Sequence, residues 1–176
     1  MILIDPDLDP DPAHHTSPAK RAPSTRLAPT GRRSRVPSER MLAVFLRDAR
    51  AAVCLRGEVS VLLTTDAKIR RLNRQFRGKD KPTDVLSFPA DALVQKNEKL
   101  AGDLAVSIPT ALRQAREHGH TLAIEIKVLI LHGLLHLAGF DHERDNGQMA
   151  RRERLLRGRL GLPQGLIERA KAGANR

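Results

Sequence analysis

The sequence has no tryptophan, no tyrosine and only four phenylalanines in 176 residues. A single-strand binding surface built on many stacked rings is not expected from so few. The one cysteine, Cys54, excludes an intramolecular disulfide framework and fits a reducing cytosol. Long apolar runs are also missing. The longest stretch without a charged side chain is the thirteen residues Val128 to Phe140, which hold two histidines and two glycines. A spanning helix needs about 20 apolar residues. The opening Met1-Ile-Leu-Ile runs into Asp5, Asp7, Asp9 and Asp11, the reverse of a secretory signal. The expected location is therefore the cytoplasm, with no membrane partner.

What the sequence does have is enough apolar material (40%) for one core and a strong excess of positive charge. The net charge is +11, and 23 of the 31 basic residues are arginine, the side chain shaped to grip phosphate with two parallel hydrogen bonds. A field of this sign favours encounters with polyanions, nucleic acid first among them. A solvated arginine-rich surface is the plainer alternative.

Proline divides the chain. Seven of the eleven prolines lie in the first 37 residues. A short strand is expected within 1–12, at Ile2 to Ile4. Residues 13–37 show no apolar periodicity and read as a disordered Pro/Arg-rich segment, whose Arg32, Arg33 and Arg35 are either solvated or in contact with RNA. Residues 38–176 read as the globular domain. There Ser38 caps a helix with Leu42, Phe45, Leu46, Ala49 and Val53 inward and Cys54 in the core at its end. Val59, Val61 and Leu63 alternate as a strand. Asp66 caps a helix that turns Ile69, Leu72 and Phe76 inward and closes at Gly78. Strands are expected at Asp84 to Phe88 and Leu104 to Ile108. Pro109 opens a helix that ends at Gly119, and Thr121 caps a buried helix to Gly139. A last helix opens at Asp145, with Met149, Leu155 and Leu156 on one side and Arg151, Arg152, Arg154 and Arg157 on its surface. The expected fold is α/β (α+β), a small mixed sheet packed with helices.

Histidine occurs seven times, and three fall within eleven residues: His132-Gly-Leu-Leu-His136-Leu-Ala-Gly-Phe-Asp-His142. His132 and His136 lie one turn apart on the same helix face. Gly139 allows the turn that brings His142 back to them. Three neutral imidazoles leave one tetrahedral position open, the pattern of catalytic rather than structural zinc. Two core histidines beside a surface one would leave unpaired polar rings among Leu131, Leu134, Leu135 and Leu137, at a cost. Asp141 is placed either to orient a ligand or to cap the next helix. The spacing matches metzincin peptidases, but their general-base glutamate comes directly after the first histidine, and here that residue is Gly133.

At these residues the sequence resembles the YbeY family of bacterial endoribonucleases, or rRNA maturation factors. The histidine block looks like the family's zinc signature. Leu72-Asn-Arg-Gln-Phe-Arg77-Gly-Lys-Asp-Lys-Pro-Thr-Asp-Val-Leu-Ser-Phe-Pro89 is similar to its second diagnostic block, and Leu100-Ala-Gly-Asp-Leu-Ala-Val-Ser107 to its glycine–aspartate strand. The resemblance implies a zinc-dependent, single-strand-specific endoribonuclease. Its implied roles are maturation of the 3′ end of 16S rRNA and ribosome quality control, with single-stranded RNA, ribosomal RNA and the small ribosomal subunit as partners. It further implies one zinc ion per chain on His132, His136 and His142, and a functional arginine at Arg77. Two features depart from the family: the 13–37 segment looks like an insertion, and Phe140 stands where many members have tyrosine.

A bound divalent metal lowers the pKa of water from 15.7 to roughly 7 and draws charge from a phosphoryl oxygen. Arg77, in a polar loop with Gly78, Lys79 and Lys81, is placed to stabilise the charge that builds on the phosphate. Asp84 and Asp103 read as capping or pairing groups. With Gly133 in the base position, either water or the substrate's 2′-hydroxyl is the nucleophile. The alternatives in function are a ribosome-assembly RNA-binding factor with a non-catalytic metal, and a metallopeptidase.

Overall fold

The computed structural model describes residues 1–8, 35–91 and 100–163. Most of the 13–37 segment therefore lies outside the described residues. Of its end, Val36 packs against the core and Pro37 is buried.

The described elements run β1 (Ile2–Ile4), α1 (Glu39–Val53), β2 (Glu58–Thr64), α2 (Asp66–Arg77), β3 (Val85–Pro89), β4 (Leu100–Ser107), α3 (Ile108–Glu117), α4 (Leu122–Leu137) and α5 (Gln148–Leu160). The four strands form one sheet in the order β1-β2-β4-β3. β1 and β4 are both parallel to β2, and β3 is antiparallel to β4. The sheet is mixed, as expected.

Alternation along the strands assigns its two faces. Val59, Val61 and Leu63 join Leu104, Val106 and Val85 in a core covered by α1, α3, α4 and α5. The next residues in register, Leu62, Leu86 and Ala105, meet Ile69 and Leu72 of α2 on the opposite face. Helix α4 is the centre of the larger core. Twelve of its residues are buried, and its sequence is apolar on nearly every side, as a helix packed on all sides must be.

Gly133 lets α4 lie close on the sheet. A Cβ built there would stand 2.7 Å from Leu104 Cδ2 and 3.3 Å from Ser87 Oγ. The Ser87 hydroxyl donates to the Gly133 carbonyl at 3.4 Å, so the helix touches β3 and β4 at this point.

Several expectations shift. Cys54 is exposed, because it takes the left-handed C-cap position of α1 (φ 66°), which turns its side chain away from the core. Thr65, not Asp66, caps α2. Asp66 instead accepts hydrogen bonds from Ser107 and Thr110 and pairs with Arg113. Strand β4 begins at Leu100, four residues earlier than expected. On α5, Leu155 is exposed whereas Arg157 is buried and donates to the Pro163 carbonyl.

Candidate metal centre

Helix α4 carries His132 and His136, and the turn after it carries His142. The turn arises from Gly139 at φ 88°: its N–H donates to His136 O at 2.9 Å, and that of Phe140 donates to Leu135 O at 3.1 Å. The chain reverses and returns His142 to the end of α4. The three ring centroids stand 4.8, 5.2 and 5.2 Å apart. One ring nitrogen from each lies within 4.8 Å of the others, and the Nε2 atoms of His132 and His136 are 3.1 Å apart. Two ligands on one tetrahedral zinc ion stand roughly 3.3 Å apart, so the donor set suits such an ion.

Exposure is graded across the site: His132 is buried, His136 half-buried and His142 exposed. Burial first, then the neighbouring His132 and His142 rings, holds the His136 pKa down to about 4. His136 is therefore neutral at pH 7, with a lone pair to give. His132 is oriented from behind. Its Nδ1 lies 3.1 Å from Glu153 Oε1 on α5, and both side chains are buried. A carboxylate at this distance favours the tautomer in which Nδ1–H donates a hydrogen bond to it, which leaves the Nε2 lone pair on the side of the other histidines.

Glu153 is a site residue that sequence reasoning missed, although a signal was there. Met149, Glu153 and Leu156 lie on one inward stripe of α5, and all three are buried. A carboxylate in an apolar stripe needs a partner.

The histidines line a cleft of about 870 Å³ together with Phe76, Arg77, Asp84, Ser87, Phe88 and Phe140. Arg77 is exposed and thus free to meet a ligand there. It is the last residue of α2 and not part of the polar loop where it was expected, and the loop that follows it is braced rather than slack. Buried Asn73 donates to Lys81 O at 2.7 Å, and Arg70 grips Asp80 with two hydrogen bonds of 2.8 Å. Lys79 and Lys81 are exposed on that loop.

Two of the three carboxylates that line the cleft, Asp84 and Asp141, are occupied, and the third, Glu143, is exposed. Asp84 accepts from Thr83 Oγ1, Val85 N and Gln114 Nε2, which fits a pairing group. Asp141 accepts from Glu143 N at 3.0 Å and pairs with Arg144, so it caps the turn. Asp103 is exposed on β4.

Comparison with known proteins places the chain in a family. The sequence model described as endoribonuclease YbeY matches residues 34–161. The chain belongs to the YbeY family. Among its relatives, endoribonuclease YbeY of Koribacter versatilis is 52% identical over 139 residues, covering 79% of this chain and 88% of the relative. That of Solibacter usitatus is 46% identical over 153 residues, covering 87% and 92%. The solution structure of TM1509 from Thermotoga maritima is 30% identical and covers 71% of this chain and 85% of that one, with a TM-score of 0.49. In this YbeY chain the base position of a metzincin is closed, since any side chain at residue 133 would run into Leu104. Among the described residues no single helix is long and apolar enough to cross a membrane.

Proposed function

We propose that the chain is a zinc-dependent endoribonuclease that cuts single-stranded RNA in the cytoplasm. Its substrate on this reading is ribosomal RNA of the small subunit, in maturation of the 16S 3′ end and in ribosome quality control. The observation that carries the reading is the convergence of three imidazoles on a cleft that Arg77 also lines. Membership of the YbeY family supports RNA as the substrate.

His132, His136 and His142 would hold the ion. When bound, zinc supplies Lewis acidity toward a phosphoryl oxygen and makes water acidic enough to react near neutral pH. The protein's own groups do the rest. Glu153 keeps His132 in the tautomer that presents Nε2. The Arg77 guanidinium takes a non-bridging phosphate oxygen and stabilises the charge that grows there. Its donors are fixed in a fork, and its place at the end of α2, ahead of a braced loop, limits how far they must reorganise. Gly133 offers no proton acceptor, and Asp84 and Asp141 are engaged elsewhere. Attack by water leaves a 3′-hydroxyl or 3′-phosphate; attack by the 2′-hydroxyl leaves a cyclic phosphate.

A non-catalytic metal in an assembly factor would call for a fourth protein ligand. The described residues bring three histidines together. The test is purified protein on single-stranded RNA, duplex RNA, casein and a 3′-extended 16S precursor, with and without chelator. Chelator-sensitive cleavage of the single strand, with trimming of the precursor, is expected. Cleavage of casein alone would overturn the assignment.

A further inference from the structure

The chain has four phenylalanines, and three of them, Phe76, Phe88 and Phe140, line the cleft of the three histidines. The ring count excludes a broad stacking surface, but not one concentrated at this site. Phe76 is the unusual one. Helical spacing places it in the inward stripe of α2 behind Ile69 and Leu72, yet it is 59% exposed while Ile69 is fully buried. It forfeits the burial that its stripe position offers. Phe88 braces it from β3, with ring centroids 5.1 Å apart and planes at 67°, an edge-to-face contact that leaves much of the Phe76 ring in water. Arg77 is next in the chain and lines the same cleft. Arg74, Lys79 and Lys81 are exposed nearby and add positive potential.

An exposed flat ring beside a phosphate-binding guanidinium fits a nucleotide whose base is free to stack. A base inside a duplex has both faces covered by its neighbours, whereas an unpaired base can be splayed onto a ring. We propose that Phe76, held edge-on by Phe88, is the stacking platform for an unpaired base of the RNA strand beside the phosphate at Arg77, and that this contact sets the preference for single strands. The proposal rests on the nuclease reading above and adds to it the residue that selects the substrate.

The test compares wild type with Phe76→Leu and Phe76→Trp on a single-stranded RNA, on its duplex, and on single strands carrying one abasic ribose at successive positions. Phe76→Leu keeps apolar bulk but has no ring. Its KM for the single strand should rise roughly tenfold with kcat little changed, because stacking is present in the ground state and the transition state alike. Duplex kinetics should stay put, so the selectivity ratio falls. Phe76→Trp should restore it. One abasic position should cost wild type about as much as Phe76→Leu costs, and should cost that variant almost nothing more. Zinc content and melting temperature should not move. Wild-type RNA cleavage with unchanged KM and selectivity in Phe76→Leu would overturn this proposal alone. Absence of RNA cleavage by wild type would remove the nuclease reading and this proposal with it.

Discussion

Glu153 Oε1 stands 3.1 Å from His132 Nδ1, and both groups are buried between α4 and α5. A carboxylate behind a ligand imidazole fixes the ring and raises its basicity. Glu153→Ala should therefore weaken zinc binding by roughly 10–100-fold, with Glu153→Gln in between. Competition titration against a chelator of known affinity reads this directly. Unchanged affinity would mean that the pair serves packing alone.

Gly133 and Leu104 form the second tight contact. Alanine for glycine inside a helix normally gains about 1 kcal/mol. Here the new Cβ would stand 2.7 Å from Leu104 Cδ2, and Leu104 is only 1% exposed, so the clash falls inside the packed core. Gly133→Ala should lose about 1–3 kcal/mol in denaturant unfolding instead. Leu104→Val in the same chain should recover part of that loss.

These contacts show where the sequence was legible. The histidines could be read because four-residue spacing is a geometric fact of helices, and Gly139 announces a turn. The strand at Ile2 to Ile4 and the capped helix after Ser38 were visible for similar reasons, as local pattern and cap chemistry. Phe76 and Leu155 were misplaced because an apolar stripe does not tell where the partner surface ends. Within the first part of β4, a Cβ at Gly102 would stand 2.4 Å from Phe88 O, so glycine is what admits the neighbouring strand there. Glu153 was masked by the arginines around it. Its partner lies 21 residues away, a separation no local pattern shows.

Arg77 separates transition-state stabilisation from binding. Arg77→Lys keeps the charge and loses the planar two-point grip. Cleavage of single-stranded RNA should fall roughly a hundredfold, equivalent to ~3 kcal/mol, with a much smaller change in RNA affinity. Zinc content and melting temperature should match wild type, since Arg77 is exposed. A wild-type cleavage rate would remove Arg77 from the mechanism.

Asp5 gives a pH signature at the far end of the sheet. The carboxylate is 2% exposed, accepts from the Thr64 hydroxyl and from Asp7 N at 3.2 Å, and pairs with Lys68 at 3.1 Å. The Thr64 hydroxyl chiefly, helped by Asp7 N–H and Lys68 and opposed by burial, holds its pKa below the usual 3.8. A lowered carboxylate pKa stabilises the fold above the unfolded value and ceases to do so as pH falls through the folded one. Asp5→Asn should thus be less stable than wild type at pH 7, and the gap should close below about pH 4. Chemical unfolding of both proteins between pH 7 and pH 3 measures the gap. A gap that stays constant over that range would show that the charge of Asp5 is not what stabilises the β1–β2 end.

The central claim is that three imidazoles carry the one metal on which RNA cleavage depends. Its most direct measurement is the rate of single-stranded RNA cleavage by metal-stripped, untagged protein titrated with zinc. The expected result is no cleavage at zero zinc and full activity at one equivalent per chain, with a break at that point. Protein that is folded, metal-free and fully active on RNA would contradict it.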